Sequence, residues 1–225
     1  MKVFALPALL IGRALSSLEY RLNRLKSYYL LSKFLAVDER SVLEWPVKVY
    51  GAQYITLGKN VRISWNSWLY AVDKYGNQRF SPEIIIENSA YLGNSSHIVA
   101  CRKVKIGANT IIGDRCYLSD NLHDYEDVNI PIKDGKLKVP GELVIGKDSW
   151  LGDNVCIFGD LTVGEHCVIG ANSVVTRSIP SYSVAVGSPA RVIKRYDFQR
   201  QEWLKTDKFG NFDPEDIEVA VKRKG

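Results

Sequence analysis

An aliphatic residue recurs every sixth position through much of this chain, and few folds can accommodate that period. The longest run keeps phase from Ile145 through Leu151, Ile157, Val163 and Ile169 to Val175. Three shorter sets precede it: Leu57, Ile63 and Leu69; Ile86, Leu92 and Ile98; Ile106, Ile112 and Leu118. Glycine follows the aliphatic at Gly58, Gly93, Gly107, Gly113, Gly146, Gly152, Gly164 and Gly170. The fifth position is small, holding Ala90, Ser96, Thr110, Cys116, Ser149, Val155, Cys167 and Ser173. A helix would need apolar residues three and four apart, and a long strand would need alternation. Period six fits short strands separated by tight corners, three to a coil, with each aliphatic stacked on that of the next coil. Asn60, Asn109, Asn154 and Asn172 fall at the fourth position, where Asn, like Gly, tolerates a left-handed corner. The expected fold is an all-β solenoid of about five coils.

Interruptions and ends divide the chain into an N-terminal helical extension (1–45), the solenoid (46–195) and a C-terminal extension (196–225). Ile11, Leu15, Leu18, Leu22, Leu25 and Tyr29 form a helical stripe beside Arg13, Arg21, Arg24, Lys26 and Lys33. Two uses are open to such a helix: packing on the domain or a partner subunit, or peripheral contact with an anionic membrane. Val104-Lys105 reads as a two-residue insertion at a corner. Residues 73–83 and 122–143 are polar excursions, and long loops on a rigid scaffold commonly carry function. Trp203 and Phe212 are apolar points at which the C-terminal segment would dock.

Composition narrows the function classes. A chain 46 % hydrophobic and 24 % charged is an ordinary folded protein. The net charge of +5 suits an anionic ligand but does not imply nucleic acid, and no nucleic-acid partner is expected. Cys101, Cys116, Cys156 and Cys167 form no CxxC pair, so a zinc knuckle or redox motif is unsupported. Cys116 and Cys167 occupy the small inward slot and read as packing residues. Free thiols and the lack of a recognisable secretory signal favour the cytoplasm, with the inner membrane face as an alternative address.

Three stretches carry a family resemblance: SDNLHDYEDVNIPI (119–132), IGKDSWLGDNV (145–155) and IGANSVVTRSIPSYSVAVGSPARVIK (169–194). They resemble the catalytic loop, the following coil and the CoA-binding end of the hexapeptide-repeat acyltransferases. With the repeat itself, the resemblance covers about two thirds of the chain. The basic N-terminal helix and the QEW tail look most like the O-acetyltransferases of bacterial surface polysaccharide and lipopolysaccharide synthesis. The resemblance alone implies that the parallel β-helix is left-handed, because parallel crossovers are ordinarily right-handed. It also implies a homotrimer with active sites between subunits, acetyl-CoA as donor, a carbohydrate acceptor and no metal.

By the same resemblance, His123 is the general base for direct transfer. A neutral imidazole has the pKa for that task, and it sits where the chain leaves the scaffold. Asp120 is expected to orient the loop or the imidazole. Asn94, Ser95, His97, Asp124 and Glu126 are the acceptor-side candidates. Asp127 is a further loop carboxylate, and His166 is expected to be a solvated corner residue. Trp150, Gly152 and Asp153 are expected near the thioester, Ala171 and Thr176 along the CoA arm, and Arg177, Arg191 and Lys194 at its phosphates. The competing readings are N-acetylation of an amino sugar, a non-catalytic scaffold, and a zinc-dependent carbonic anhydrase of the same fold. The last would need more than His97, His123 and His166, which lack the His-x4-His spacing.

Overall fold

The computed structural model describes residues 5–207, 210–214 and 216, with side chains from residue 15 onward. Its core is a three-sided prism. The first face stacks Ala36–Val37, Ile55–Leu57, Glu83–Ile86, Lys103–Ile106, Glu142–Ile145 and Leu161–Val163 in parallel. The third face stacks Lys48–Tyr50, Trp68–Ala71, His97–Ala100, Tyr117–Ser119, Cys156–Phe158 and Val174–Val175 in the same way. The second runs from Val42–Leu43 to Ser183–Gly187 and then turns antiparallel through Ala190–Asp197 and Glu202–Lys205. The winding is that of the left-handed parallel β-helix.

The hexad explains the core. Leu57, Ile63, Leu69, Ile98, Ile112, Leu118, Ile145, Ile157 and Ile169 are all buried at 0–1 % exposure, so every stacking aliphatic among them is committed inward. The small slot is buried as well, and its polar members satisfy the neighbouring coil. The hydroxyl of Ser96 donates to the Gly113 carbonyl, that of Thr110 to Gly146, and that of Ser149 to Gly164. Cys116 and Cys167 occupy this slot, and burial pushes the Cys116 thiol up to about 11. Asn60, Asn109, Asn154 and Asn172 adopt positive φ at the corners. The repeat glycines do not. They are small because the coils approach closely: a Cβ on Gly113 would lie 2.8 Å from the Asp153 amide nitrogen.

Three boundaries differ from the sequence expectation. The prism has six coils and starts at Ala36, within the stretch assigned to the helical extension. Val37, Leu43 and Val49 are six apart, but the short 3-10 turn Ala52–Tyr54 shifts the phase and hid this first coil. His123 therefore follows the fourth coil. Lys103–Ile106 is an unbroken strand, so the extra pair of residues is absorbed at the preceding corner, Cys101–Arg102, and not at Val104-Lys105. Finally, the segment after Tyr196 is a continuation of the second face. Trp203 stacks near His166 and Tyr196, and Arg195 lies over the Phe212 ring.

Helix α1 (Ala5–Leu31) reaches the prism through its last turns, where Ser27 and Leu31 are buried and the Ser27 hydroxyl accepts from the Leu43 amide. Its stripe stays largely exposed at Leu15, Leu18, Leu22, Leu25 and Tyr29, although Leu15, Leu18 and Leu22 border a groove with Trp45 and Pro46. The stripe is therefore not buried against its own domain. Ile11 and Arg13 lie outside the described side chains. Among the described residues no helix is long and apolar enough to cross a membrane.

Candidate active site

His123 stands on a two-stranded ribbon that leaves the corner between the third and first faces. Leu122–His123 pairs antiparallel with Leu137–Lys138. Asp120 makes this exit rigid. Fully buried, it accepts from the backbone N–H groups of Cys101, Arg102 and Lys103 at 2.6–2.8 Å and from the Asn121 side chain at 2.9 Å. Those bonds fit the loop-orienting half of the expectation. Both carboxylate oxygens are engaged by the corner, so Asp120 is not the group that orients the imidazole.

The His123 imidazole is exposed, and its ring meets the Tyr75 ring edge-on at 5.7 Å. Asp124 and Glu126 lie on the same ribbon. Both pair with Lys138, at 3.5 and 2.6 Å, and Asp124 also accepts from the Glu126 amide. That amide bond, with Lys138 and Lys136 nearby, holds the Asp124 carboxyl below the usual range. Asp127 caps the Asn129 amide, and the tip beyond it exposes Tyr125, Val128 and Ile130.

The remaining candidates divide between the prism's other positions. Asn94 and Ser95 form the corner before the third face in the preceding coil, where Asn94 is held by Asp114 and the Ser95 hydroxyl accepts from Asn66. A four-residue strand, about 13 Å long, separates that corner from the edge His123 leaves. The structure therefore does not bring Asn94 and Ser95 to His123 within one chain. His97 begins that strand, pointing outward, edge-on to Trp68 at 5.3 Å. Burial and the nearby Lys48 charge lower its pKa. His166 sits at a distal corner, exposed and stacked on Tyr182.

On the donor side, Trp150 stands outward on the second face with more than half its surface exposed, next to Ile111. Gly152 and Asp153 lead into the following corner, where Asp153 accepts from the Asp114 amide and pairs with Arg115. Ala171 occupies the equivalent corner one coil on, close over Gly152. Thr176 and Arg177 are exposed on the same edge as the His123 exit, two coils further along. Arg191 and Lys194 lie on the antiparallel strand that extends the second face. Thus one chain places the candidates in two separate regions, one on the edge bearing His123, the other on the second face bearing Trp150. A cavity of about 650 Å³ beneath α1, lined by Arg24, Tyr28, Arg40 and Arg62, lies at the N-terminal coil and belongs to neither.

Sequence reasoning missed Tyr75 and Gln78. In sequence, residues 73–83 are a polar excursion, and nothing in their spacing connects them with a loop some sixty residues on. Their contacts with that loop emerge only once the coils are stacked.

Repeat and coil together define the left-handed parallel β-helix fold. Residues 143–177 match the family described as bacterial transferase hexapeptide (six repeats). Two relatives of the chain are acetyltransferases by name. It is 35 % identical over 128 residues to a probable acetyltransferase of Mycobacterium tuberculosis, covering 56 % of this chain and 42 % of that protein. It is 33 % identical over 129 residues to the putative lipopolysaccharide biosynthesis O-acetyl transferase WbbJ of Escherichia coli K12, covering 54 % and 65 %. The chain thus spans between two fifths and two thirds of the length of these curated relatives. Among solved structures, the N-acyltransferase AntD of Bacillus cereus, in complex with dTDP-4-amino-4,6-dideoxyglucose and coenzyme A, superposes with a TM-score of 0.60. At 19 % identity over 86 % of this chain and 92 % of that one, it supports the fold.

Proposed function

We propose that this protein is an acetyl-CoA-dependent acetyltransferase acting on a sugar hydroxyl in surface-polysaccharide assembly, with His123 as general base. The observation that carries this reading is an exposed imidazole on a ribbon anchored by a buried carboxylate at a rigid corner. A base must reach the substrate, yet be held still. Neutral His123 takes the proton as the acceptor oxygen attacks the thioester carbonyl. The new C–O bond forms, the C–S bond breaks, and the departing thiolate receives the proton from the imidazolium. A backbone N–H beside Trp150 and Gly152 stabilises the developing oxyanion. Arg177, Arg191 and Lys194 bind the CoA phosphates.

The two separate regions explain why the proposed enzyme is a homotrimer. His123 and Trp150 lie on different parts of the prism, so a complete site forms when the edge of one copy meets the second face of the next. The exposed apolar pair Ile111 and Trp150 is suited to such cover. Similarity to WbbJ over just over half the chain favours hydroxyl over amine.

The test is thiol release from acetyl-CoA across reducing sugars, amino sugars, nucleotide sugars and lipid-linked oligosaccharides, with product analysis. Acetyl esters on a hydroxyl support the reading. Amide products overturn the choice of acceptor atom, and failure to bind CoA overturns the donor.

A further inference from the structure

The polar segment at residues 73–80 reaches across two coils to the His123 ribbon. It folds into a small hairpin, Lys74–Tyr75 pairing with Gln78–Arg79. Its contacts are specific. The Leu137 amide donates to Gln78 Oε1 at 2.7 Å, and Gln78 Nε2 donates to the Leu137 carbonyl at 3.0 Å. The Tyr75 hydroxyl donates to the Lys133 carbonyl at 3.1 Å. The Tyr75 ring meets the imidazole of His123.

The register explains why Gln78 fits there. Leu137 lies opposite His123, while Asp124 donates to Lys136 one step on. The His123–Leu137 pair is therefore the non-hydrogen-bonded kind, and both backbone groups of Leu137 point away from His123. Gln78 takes both with one amide, standing in for a third strand. Val72, Cys101 and Leu137 form a separate buried cluster, with Tyr70, Tyr75, Phe80, Val99 and Val139 packed around it. Ribbon, hairpin and outer sheet surface thus share one small core.

We infer that the hairpin is a positioning element for the general base: Gln78 fixes the ribbon that carries His123, and Tyr75 sets the plane of its imidazole. This rests on His123 being the base. A base held on a two-residue pairing would otherwise swing, and misplacement by an ångström can cost ~10²-fold in rate. Tyr75 and Gln78 act through His123 and bind neither substrate.

Two measurements on the full chain test it. The first is amide hydrogen exchange, which requires no acceptor. Gln78→Ala is expected to speed exchange at the Leu137 and Asp124 amides about tenfold or more, leaving the buried hexad amides unchanged. Unchanged exchange at both amides overturns the tie. The second is kinetic, read as thiol release from acetyl-CoA with the acceptor selected by the panel above. Tyr75→Leu is expected to lower kcat about tenfold or more with KM for acetyl-CoA unchanged, and Tyr75→Phe to restore most of it. In a His123→Ala background, Tyr75→Leu should have no further effect, since residues acting as a unit are non-additive. A full additional loss there would mean that Tyr75 acts independently, and would overturn the inference. If His123→Ala itself keeps full activity, the reading of His123 fails instead, and the exchange result still decides whether Gln78 holds the ribbon.

Discussion

Asp120 is the residue whose role the structure narrows most. Of the two roles expected of it, orienting the loop or the imidazole, its bonds fit the first: it holds the corner together. Asp120→Ala would leave the amides of Cys101, Arg102 and Lys103 without their acceptor. At about 1–3 kcal/mol for each unsatisfied buried donor, the variant should lose about 3 kcal/mol or more, read as denaturant midpoint, with activity failing through the loop. Asp120→Asn keeps one acceptor oxygen and should lose less. His97 gives a pH-dependent expectation. Its folded pKa is lowered by burial and by Lys48. The unfolded chain therefore binds the proton first as pH falls below about 6.5, and stability declines from there down through the folded pKa. Thermal melts between pH 7.5 and 5 should show that decline, and His97→Gln should flatten it; equal slopes would remove His97 as the cause.

At the scale of elements, the stacked coils depend on the second hexad position as much as on the first. Gly113→Ala would press a methyl group toward the backbone of the next coil at Gly152–Asp153. A cost of about 1–3 kcal/mol is expected, again read by denaturant midpoint. The six-residue period made most of this legible beforehand: the inward aliphatics, the small slot and the left-handed Asn corners are all local consequences of one repeat. The first coil escaped because a four-residue turn around Ala52–Tyr54 broke phase just after it. The hairpin at 74–79 escaped for a different reason. Gln78 and Leu137 meet only because two coils of stacking bring them together, and no local pattern records a contact over that separation. The loop bearing His123 was legible from its motif, but its geometry was not: whether Asp120 faced the imidazole or the corner depended on which backbone amides were left unpaired there.

At the scale of the molecule, the proposed function requires His123 and Trp150, on different parts of one prism, to serve one reaction. The proposed closed threefold association would meet that requirement without bending the scaffold, through a cyclic, heterologous interface. Sedimentation should give a particle three times the 25.4 kDa chain mass. Trp150→Glu should shift it toward monomer and abolish transfer while the fold persists by circular dichroism. A monomer that retains full activity would remove the shared site.

The most direct test of the central claim compares wild type with His123→Ala in thiol release from acetyl-CoA with the selected acceptor, alongside acetyl-CoA affinity and thermal stability. With His123 as the base on a rigid exit, kcat should fall ~10²–10⁴-fold, while donor affinity and melting temperature stay within error. A variant that keeps its turnover within about threefold, less than the loss of a general base allows, would contradict it.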